Sequence, residues 1–93
     1  MEFEWDENKE RINIRKHCVS FTEAEEAFED ENAIDEYDGA HSSDEEHCFA
    51  LVGLSSKRLL FITYTVRRSN VIRLISARKA SQHQERFYNH GKG

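Results

Sequence analysis

The side chains in this 93-residue sequence that could do chemistry are a histidine, a tyrosine and several cations. Lys9 and His17 could transfer protons, and Tyr64 could donate a proton or stack on a nucleobase. Arg67 and Arg78 could bind phosphate and stabilise charge that develops on it. These residue types suit RNA cleavage through the substrate's own 2′-hydroxyl group, which requires a base, an acid and cations but no nucleophile from the protein. The sequence contains no P-loop and no GxGxxG motif.

A structural role would explain several of these residues equally well. Tyr64 could be a core tyrosine, and His17 could hydrogen-bond the carbonyl groups at the end of a helix. Arg73 lies in an apolar stretch and would pair there with either an acidic side chain or a phosphate. Periodicity alone does not decide between these interpretations. The basic residues on the predicted strands could together form one RNA-binding patch, in which Arg58, Arg73 and Lys79 would contact RNA.

The charge of the chain is divided unevenly along its length. The 18 acidic and 13 basic residues give a net charge of -5. Residues 1–46 have a net charge of -13, whereas residues 47–93 have a net charge of +8 and contain Glu85 as their single acidic residue. Such asymmetry between two halves indicates a nucleic-acid partner for the basic half.

The composition also indicates the cellular compartment in which the protein is expected. The longest apolar run, at 49–54, is far shorter than the roughly 20 residues of a membrane-spanning helix. The acidic N-terminal residues lack the basic region of a secretory signal, so we expect a cytoplasmic protein without membrane contact. Cys18 and Cys48 form no CxxC motif and are expected to be free thiols.

A metal site is the less favoured interpretation of the histidine-rich and acidic segment before residue 48. No spacing there matches a known ligand pattern, and a solvated acidic loop explains the composition. We therefore expect no metal and no cofactor. The segment's possible ligands are His41, Asp44, Glu45, Glu46 and His47.

The elements that must position these residues form an α+β domain in the order β-α-α-β-β-β-β-α. Asp6 and Ser20 are predicted to begin the two N-terminal helices, and Ser20 with Glu23 has the spacing of a capping box. Trp5 and Ile12 are expected to share one buried stripe. The short connections favour an antiparallel sheet of four to five strands, with helices on one side and a binding face on the other. The domain is predicted at 1–90, with a frayed tail at 91–93; the strands are predicted at 3–5, 32–37, 47–54, 58–66 and 71–77, and the helices at 7–17, 21–30 and 82–89.

Four segments resemble the motifs of one protein family. Residues 5–9 (WDENK) and 13–21 (NIRKHCVSF) resemble the signature WDxxK…NxxKHGVSF. Residues 59–65 (LLFITYT) and 73–80 (RLISARKA) resemble the segments LxVxYT and RIISARKA. The matches occur in the same order between residues 3 and 88. The sequence is thus similar to the BrnT toxins of bacterial type II toxin–antitoxin systems.

The resemblance implies a RelE-like fold and a metal-independent ribonuclease that blocks translation when it is free. It also implies a ribbon-helix-helix (BrnA-like) antitoxin that neutralises the toxin, and operator DNA contacts made only through that antitoxin. From the residues and the resemblance together we predict two groups of site residues, with Glu46 as a weaker candidate base. The catalytic group is Lys9, His17, Tyr64, Arg67 and Arg78, and the RNA-binding group is Arg58, Arg73 and Lys79.

Four positions depart from the family pattern, and at one of them Glu31 follows Asp30 where a proline is usual, which should matter little. Cys18 stands where glycine is usual, which carries an energetic cost if the backbone there has a positive φ. His47 stands where an arginine is usual, and Val66 where an acidic residue is usual. Because these two residues are expected beside the active surface, the alternative function is a catalytically weakened binding module that pairs with the antitoxin and tunes operon repression.

Overall fold

Within the described residues, five strands and three helices follow one another in the predicted order. The computed structural model describes residues 1–44, 46–68 and 70–91, without the side chain of His41. The α+β class is confirmed. The last helix continues to Gly91, where the sequence predicted a tail, and Lys92 and Gly93 lie outside the described residues. The strands are β1 (Glu2–Glu4), β2 (Ile34–Asp38), β3 (Cys48–Leu54), β4 (Leu59–Val66) and β5 (Val71–Lys79), and the helices are α1 (Glu7–His17), α2 (Phe21–Ala27) and α3 (Gln82–Gly91).

The strands form one sheet in the order β1-β5-β4-β3-β2. Strands β2 to β5 make the antiparallel meander that the short connections predict. β1 is parallel to β5, so the sheet is mixed rather than wholly antiparallel. β1 pairs with the last strand of the meander, which lies about seventy residues later in the chain. No local pattern in the sequence specifies that pairing.

The hydrophobic core lies between α2 and one face of the sheet. Phe21 and Ala24 are fully buried there, together with Leu60 and Ile62 of β4. At Gly53 of β3, a Cβ atom would come within 2.7 Å of a backbone carbonyl oxygen at the end of α2. Glycine therefore lets α2 pack closely against the sheet. α3 lies on the opposite face, against β3, so the expectation that the helices share one side of the sheet is wrong.

α1 is attached to the sheet through a polar contact rather than an apolar stripe. The Asn13 side chain donates hydrogen bonds to the carbonyl oxygens of Val19 and Ala77, each at 2.8 Å, and accepts one from the Ala77 amide at 3.0 Å. Trp5 packs edge-to-face on Phe21, but Ile12 is 54% exposed, so the predicted stripe of Trp5 and Ile12 is wrong. Asn13 thus fixes α1 beside β5 and leaves the neighbouring helix residues at the surface.

Cys18 ends α1 with φ 57° and ψ 33°, the left-handed conformation that favours glycine. Both cysteines are free thiols, as predicted. A Cβ atom in this conformation destabilises the folded state by about 1–2 kcal/mol. Glycine avoids this strain, but its greater conformational entropy in the unfolded chain offsets part of the gain. We expect Cys18→Gly to raise the free energy of unfolding in urea by about 0.5–1 kcal/mol. Cys18→Ala keeps the Cβ atom and should give no such increase; equal stability of the glycine and alanine variants would contradict this explanation.

Candidate functional site

The sheet face opposite α2, called the second face below, carries rows of cross-strand neighbours. Residues paired across adjacent strands point to the same side of the sheet. A register shift between Thr63 and Tyr64 leaves Ile75 as an extra residue in β5. This bulge brings Arg73 and Arg78, which simple alternation would separate, to the same face. The rows from β2 towards β1 contain Asp38, Cys48, Thr65, Arg73 and Glu4, then Glu36, Ala50, Thr63 and Ser76, and then Ile34, Val52, Phe61 and Arg78.

A groove of about 230 Å³ runs between α1 and β5 at the edge of the second face. Lys9 and His17, which are eight positions apart and therefore on one side of α1, both line it. Ser76 of β5 forms part of the opposite wall. The structure thus brings two of the predicted proton-transfer residues to one place beside the sheet.

Arg78 follows Ser76 at a distance of two residues, or about 7 Å along the strand. Its guanidinium carbon lies 4.6 Å from the centroid of the Phe61 ring. Its Nη1 atom donates a weak hydrogen bond to the Lys79 carbonyl oxygen at 3.3 Å. Arg78 has no carboxylate partner among the described residues, so its charge is available to an anion on the second face.

A second group of cations surrounds Glu4 near the turn between β4 and β5. Arg73 pairs with Glu4 at 3.0 Å, which is the ion pair that the structural interpretation of Arg73 expected. Arg67 lies 4.0 Å from Glu4 and 3.9 Å from Glu46, and Arg68 lies 4.0 Å from Glu4. Three guanidinium groups therefore share two carboxylates near this turn.

Tyr64 lies on the other side of the sheet, in the core. It is 4% exposed, and its hydroxyl group donates to the Asp35 carboxylate at 2.6 Å. Burial, followed by the hydrogen bond and the charge of Asp35, raises the pKa of Tyr64 well above its ordinary value of 10. The phenol therefore stays protonated near neutral pH and does not face Arg73 and Arg78.

This placement predicts that Tyr64→Phe loses stability but not catalysis. We expect the free energy of unfolding to fall by about 1–2 kcal/mol, because one charge-assisted hydrogen bond is lost. Since the folded-state pKa is raised, the stabilisation holds below pH 10 and is lost as the pH rises above that value. Urea denaturation and an RNA cleavage assay measure both quantities. A hundredfold loss of cleavage in a variant of normal stability would show that Tyr64 acts in the reaction.

Two of the predicted RNA-binding residues lie apart from the second face. Arg58 binds the Glu23 carboxylate with two nitrogens, at 3.0 and 2.7 Å, and donates to the Cys18 carbonyl oxygen at 2.7 Å. It precedes β4, whereas Arg67 follows β4, so the two lie at opposite ends of that strand. Lys79 is exposed and pairs in register with Leu60, whose side chain is in the core, so Lys79 projects towards the face that packs against α2.

Sequence reasoning missed two residues of the groove, Lys16 and Ser76. The signal for Lys16 was present, because it lies seven positions after Lys9 and therefore on the same side of the helix. Ser76 could not be assigned to a face without knowledge of the bulge in β5. A third cation and a hydroxyl group thus join Lys9 and His17.

The segment before β3 contains little that would bind a metal. No group of three or more His, Cys, Asp and Glu side chains is arranged around a common point in the described parts of the chain. Glu45 and the His41 side chain, two of the considered ligands, lie outside the described residues. His47 lies 3.2 Å, through Nδ1, from the Tyr37 hydroxyl group. Among the described residues no helix is long and apolar enough to cross a membrane.

The family model described as "Ribonuclease toxin, BrnT, of type II toxin-antitoxin system" matches residues 5–84. The chain belongs to this family. The structure is similar to the crystal structure of the Brucella abortus ribonuclease toxin BrnT, with a TM-score of 0.65 and 24% sequence identity over 88% of this chain and 99% of that one. At this identity the likeness shows the shared BrnT fold, and no curated protein matches the chain.

Proposed function

We propose that this BrnT-family chain is itself an endoribonuclease toxin that cleaves RNA without a metal ion and so blocks translation in the cytoplasm. The observation that carries the proposal is the groove in which Lys9 and His17 lie beside Ser76, with Arg78 following on the same face. Proton-transfer groups and a cation without a carboxylate partner among the described residues are the components that cleavage through the 2′-hydroxyl group requires.

In the proposed reaction the RNA supplies the nucleophile. The 2′-oxygen forms a bond to phosphorus while the bond between phosphorus and the 5′-oxygen breaks, which leaves a 2′,3′-cyclic phosphate and a 5′-hydroxyl group. A neutral imidazole accepts protons near pH 7, so His17 would take the proton of the 2′-hydroxyl group. The Lys9 ammonium group would give a proton to the departing 5′-oxygen.

The arginines would stabilise the negative charge that grows on the phosphate oxygens. Arg78 would contact the scissile phosphate, because it is next to the groove and no carboxylate among the described residues pairs with it. Arg67 and Arg73 share Glu4 and would contact a neighbouring phosphate of the strand. Exposed cations of this kind also give affinity that weakens as salt is added.

A type II toxin–antitoxin family implies a protein partner as well as an RNA target. We propose that this partner is a ribbon-helix-helix antitoxin that covers the arginines of the second face and excludes RNA from them. The partner would present acidic side chains to the arginines around Glu4, and DNA binding at the operator would belong to the antitoxin. Neutralisation would then follow from occupation of the same cations that bind RNA.

Growth of cells that express the chain alone tests the proposed function. Expression should slow growth, and Arg78→Ala should restore it because the transition-state charge is no longer stabilised. Arg15→Ala removes one exposed positive charge of α1 outside the groove and should leave growth slow. A wild-type chain that binds its antitoxin but never slows growth would contradict the proposal and support the alternative of a binding module.

A further inference from the structure

A second groove, of about 250 Å³, lies on the second face between α3 and the sheet. Its floor is formed by Ile34, Ala50 and Val52 from β2 and β3. Aromatic side chains also line it, Phe61 from β4 and Phe87 from α3, and Phe87 is 47% exposed. The volume is below the range of about 300–1,000 Å³ that is typical of larger ligands, so the groove is suited to one flat, compact group.

Three polar side chains at the groove define what that group would be. Glu36 and His83 are exposed, and the Glu36 carboxylate makes no hydrogen bond or ion pair with another residue within 1–44, 46–68 and 70–91. The Gln84 side chain accepts a hydrogen bond from the Ser81 amide through Oε1, at 2.9 Å, which leaves its NH₂ group as a donor. A carboxylate acceptor and an amide donor therefore line the same apolar groove.

We propose that this groove is a nucleobase subsite that selects guanine in the RNA substrate, an inference that rests on the proposed ribonuclease function. The Watson–Crick edge of guanine carries two adjacent donors, N1–H and the N2 amino group, and the O6 acceptor. Glu36 would accept from both donors, and Gln84 would donate to O6. Aromatic rings at the walls would stack on the base, as proteins that read single-stranded RNA commonly do.

The position of Arg78 connects the groove to the proposed cleavage surface. Arg78 lies over Phe61, which lines the groove, and it follows Ser76 along β5. A nucleotide whose phosphate bound Arg78 would thus have its base about one strand spacing away, at the groove. Glu36 would repel a phosphate there and so favour the base.

A segment of the protein partner is the other conceivable occupant, and Glu36 argues against it. An apolar side chain in the groove would remove water from the unpaired carboxylate and give it no donor in return. Guanine provides two donors and an aromatic surface of suitable size. The charge of Glu36 therefore favours a base over an apolar peptide.

Nucleotide titration of the isotope-labelled chain by NMR tests the subsite without any requirement for cleavage. The probes are 5′-GMP, AMP, CMP and UMP. We expect saturable shifts of the Ala50, Val52 and Phe87 amides with GMP, and binding at least about tenfold weaker with the other three. Equal affinity for all four nucleotides, or no saturable shift with any of them, would overturn the proposal; the latter is also the result if the groove serves a protein instead.

Variants identify the groups that select the base. Glu36→Gln should reduce GMP affinity by about tenfold or more, to the level of the other nucleotides, and Phe87→Ala should weaken all four. Glu31→Gln makes the same chemical change at an exposed residue outside the groove and should have no effect. Unchanged GMP affinity in both groove variants, each shown by its spectrum to be folded, would overturn the proposal.

Mapping the positions of RNA cleavage distinguishes a failure of the guanine subsite from a failure of the proposed ribonuclease function. A wild-type chain that cleaves RNA with a base preference unaffected by Glu36→Gln would retain the ribonuclease function and eliminate the guanine subsite. A chain that binds GMP through Glu36 but cleaves no RNA would retain the subsite and eliminate the ribonuclease function.

Discussion

Replacing His17 with alanine is expected to lower the rate of RNA cleavage by about 10²-fold or more, the usual contribution of a general base or acid. His17 ends α1 and lines the groove with Lys9 and Ser76, where the proposed reaction places the 2′-hydroxyl group of the RNA. The residue is exposed and makes no side-chain hydrogen bond with the described residues. The substitution should therefore change stability by less than about 0.5 kcal/mol, so that the loss of rate reports chemistry rather than folding.

Single-turnover cleavage of a labelled RNA measures this effect. Arg15→Ala provides the matched control, because it removes an exposed cation of the same helix on a side that does not line the groove. It should reduce RNA affinity slightly at low salt and leave the rate at saturating RNA unchanged. If His17→Ala cleaves as fast as the wild type, the assignment of His17 as a proton-transfer group is wrong.

Replacing Arg58 with alanine is expected to lower the free energy of unfolding by about 3 kcal/mol. Glu23 is 7% exposed, and two nitrogens of Arg58 and the Ser55 hydroxyl group donate to its carboxylate. Removal of Arg58 leaves a buried carboxylate with much less compensation, for which losses of about 3–5 kcal/mol are typical. Because the Arg58 side chain is 31% exposed, we expect a loss at the lower end of this range.

The pH dependence of stability provides a second measure of this pair. The hydrogen bond from Arg58 is the largest effect on Glu23 and lowers its pKa below the ordinary 4.5. A lowered folded-state pKa stabilises the fold above about pH 4.5, and this stabilisation is lost as the pH falls through the folded-state value. The difference between the wild type and Arg58→Ala in urea denaturation should therefore be largest near pH 7 and shrink as the pH falls below about 4.5. Arg86→Ala, which removes an exposed cation of α3, is the control, and an equal loss in both variants would contradict a specific role for Arg58.

Local signals in the sequence predicted the helix starts well. Asp6 accepts hydrogen bonds from the amides of Asn8 and Lys9, and Ser20 accepts one from the amide of Glu23. A capping box also requires the Glu23 side chain to accept a hydrogen bond from the Ser20 amide. This part of the prediction is wrong, because the Glu23 carboxylate binds Arg58 instead. These caps join residues two or three positions apart, whereas the ion pair of Glu23 depends on Arg58, a residue 35 positions away.

The candidate site depended on features that no local pattern contains. The bulge at Ile75 brings Arg73 and Arg78 to one face, although their spacing of five would place them on opposite faces of a regular strand. Lys9 and His17 could be assigned to one helix side from spacing, but their approach to Ser76 depends on the hydrogen bonds of Asn13 to Ala77. For Tyr64, the alternation with Leu60 and Ile62 already indicated the core face.

Incubation of the purified chain with RNA, with and without EDTA, tests the central claim most directly. The proposed chemistry uses only protein cations and proton transfer, so cleavage should proceed at the same rate after chelation. Its products should carry 2′,3′-cyclic phosphate and 5′-hydroxyl ends, and His17→Ala should give about 10²-fold less of them. Cleavage that EDTA abolishes and added Mg²⁺ restores would contradict the metal-independent mechanism, and a wild-type chain that leaves RNA intact in both conditions would contradict the ribonuclease function itself.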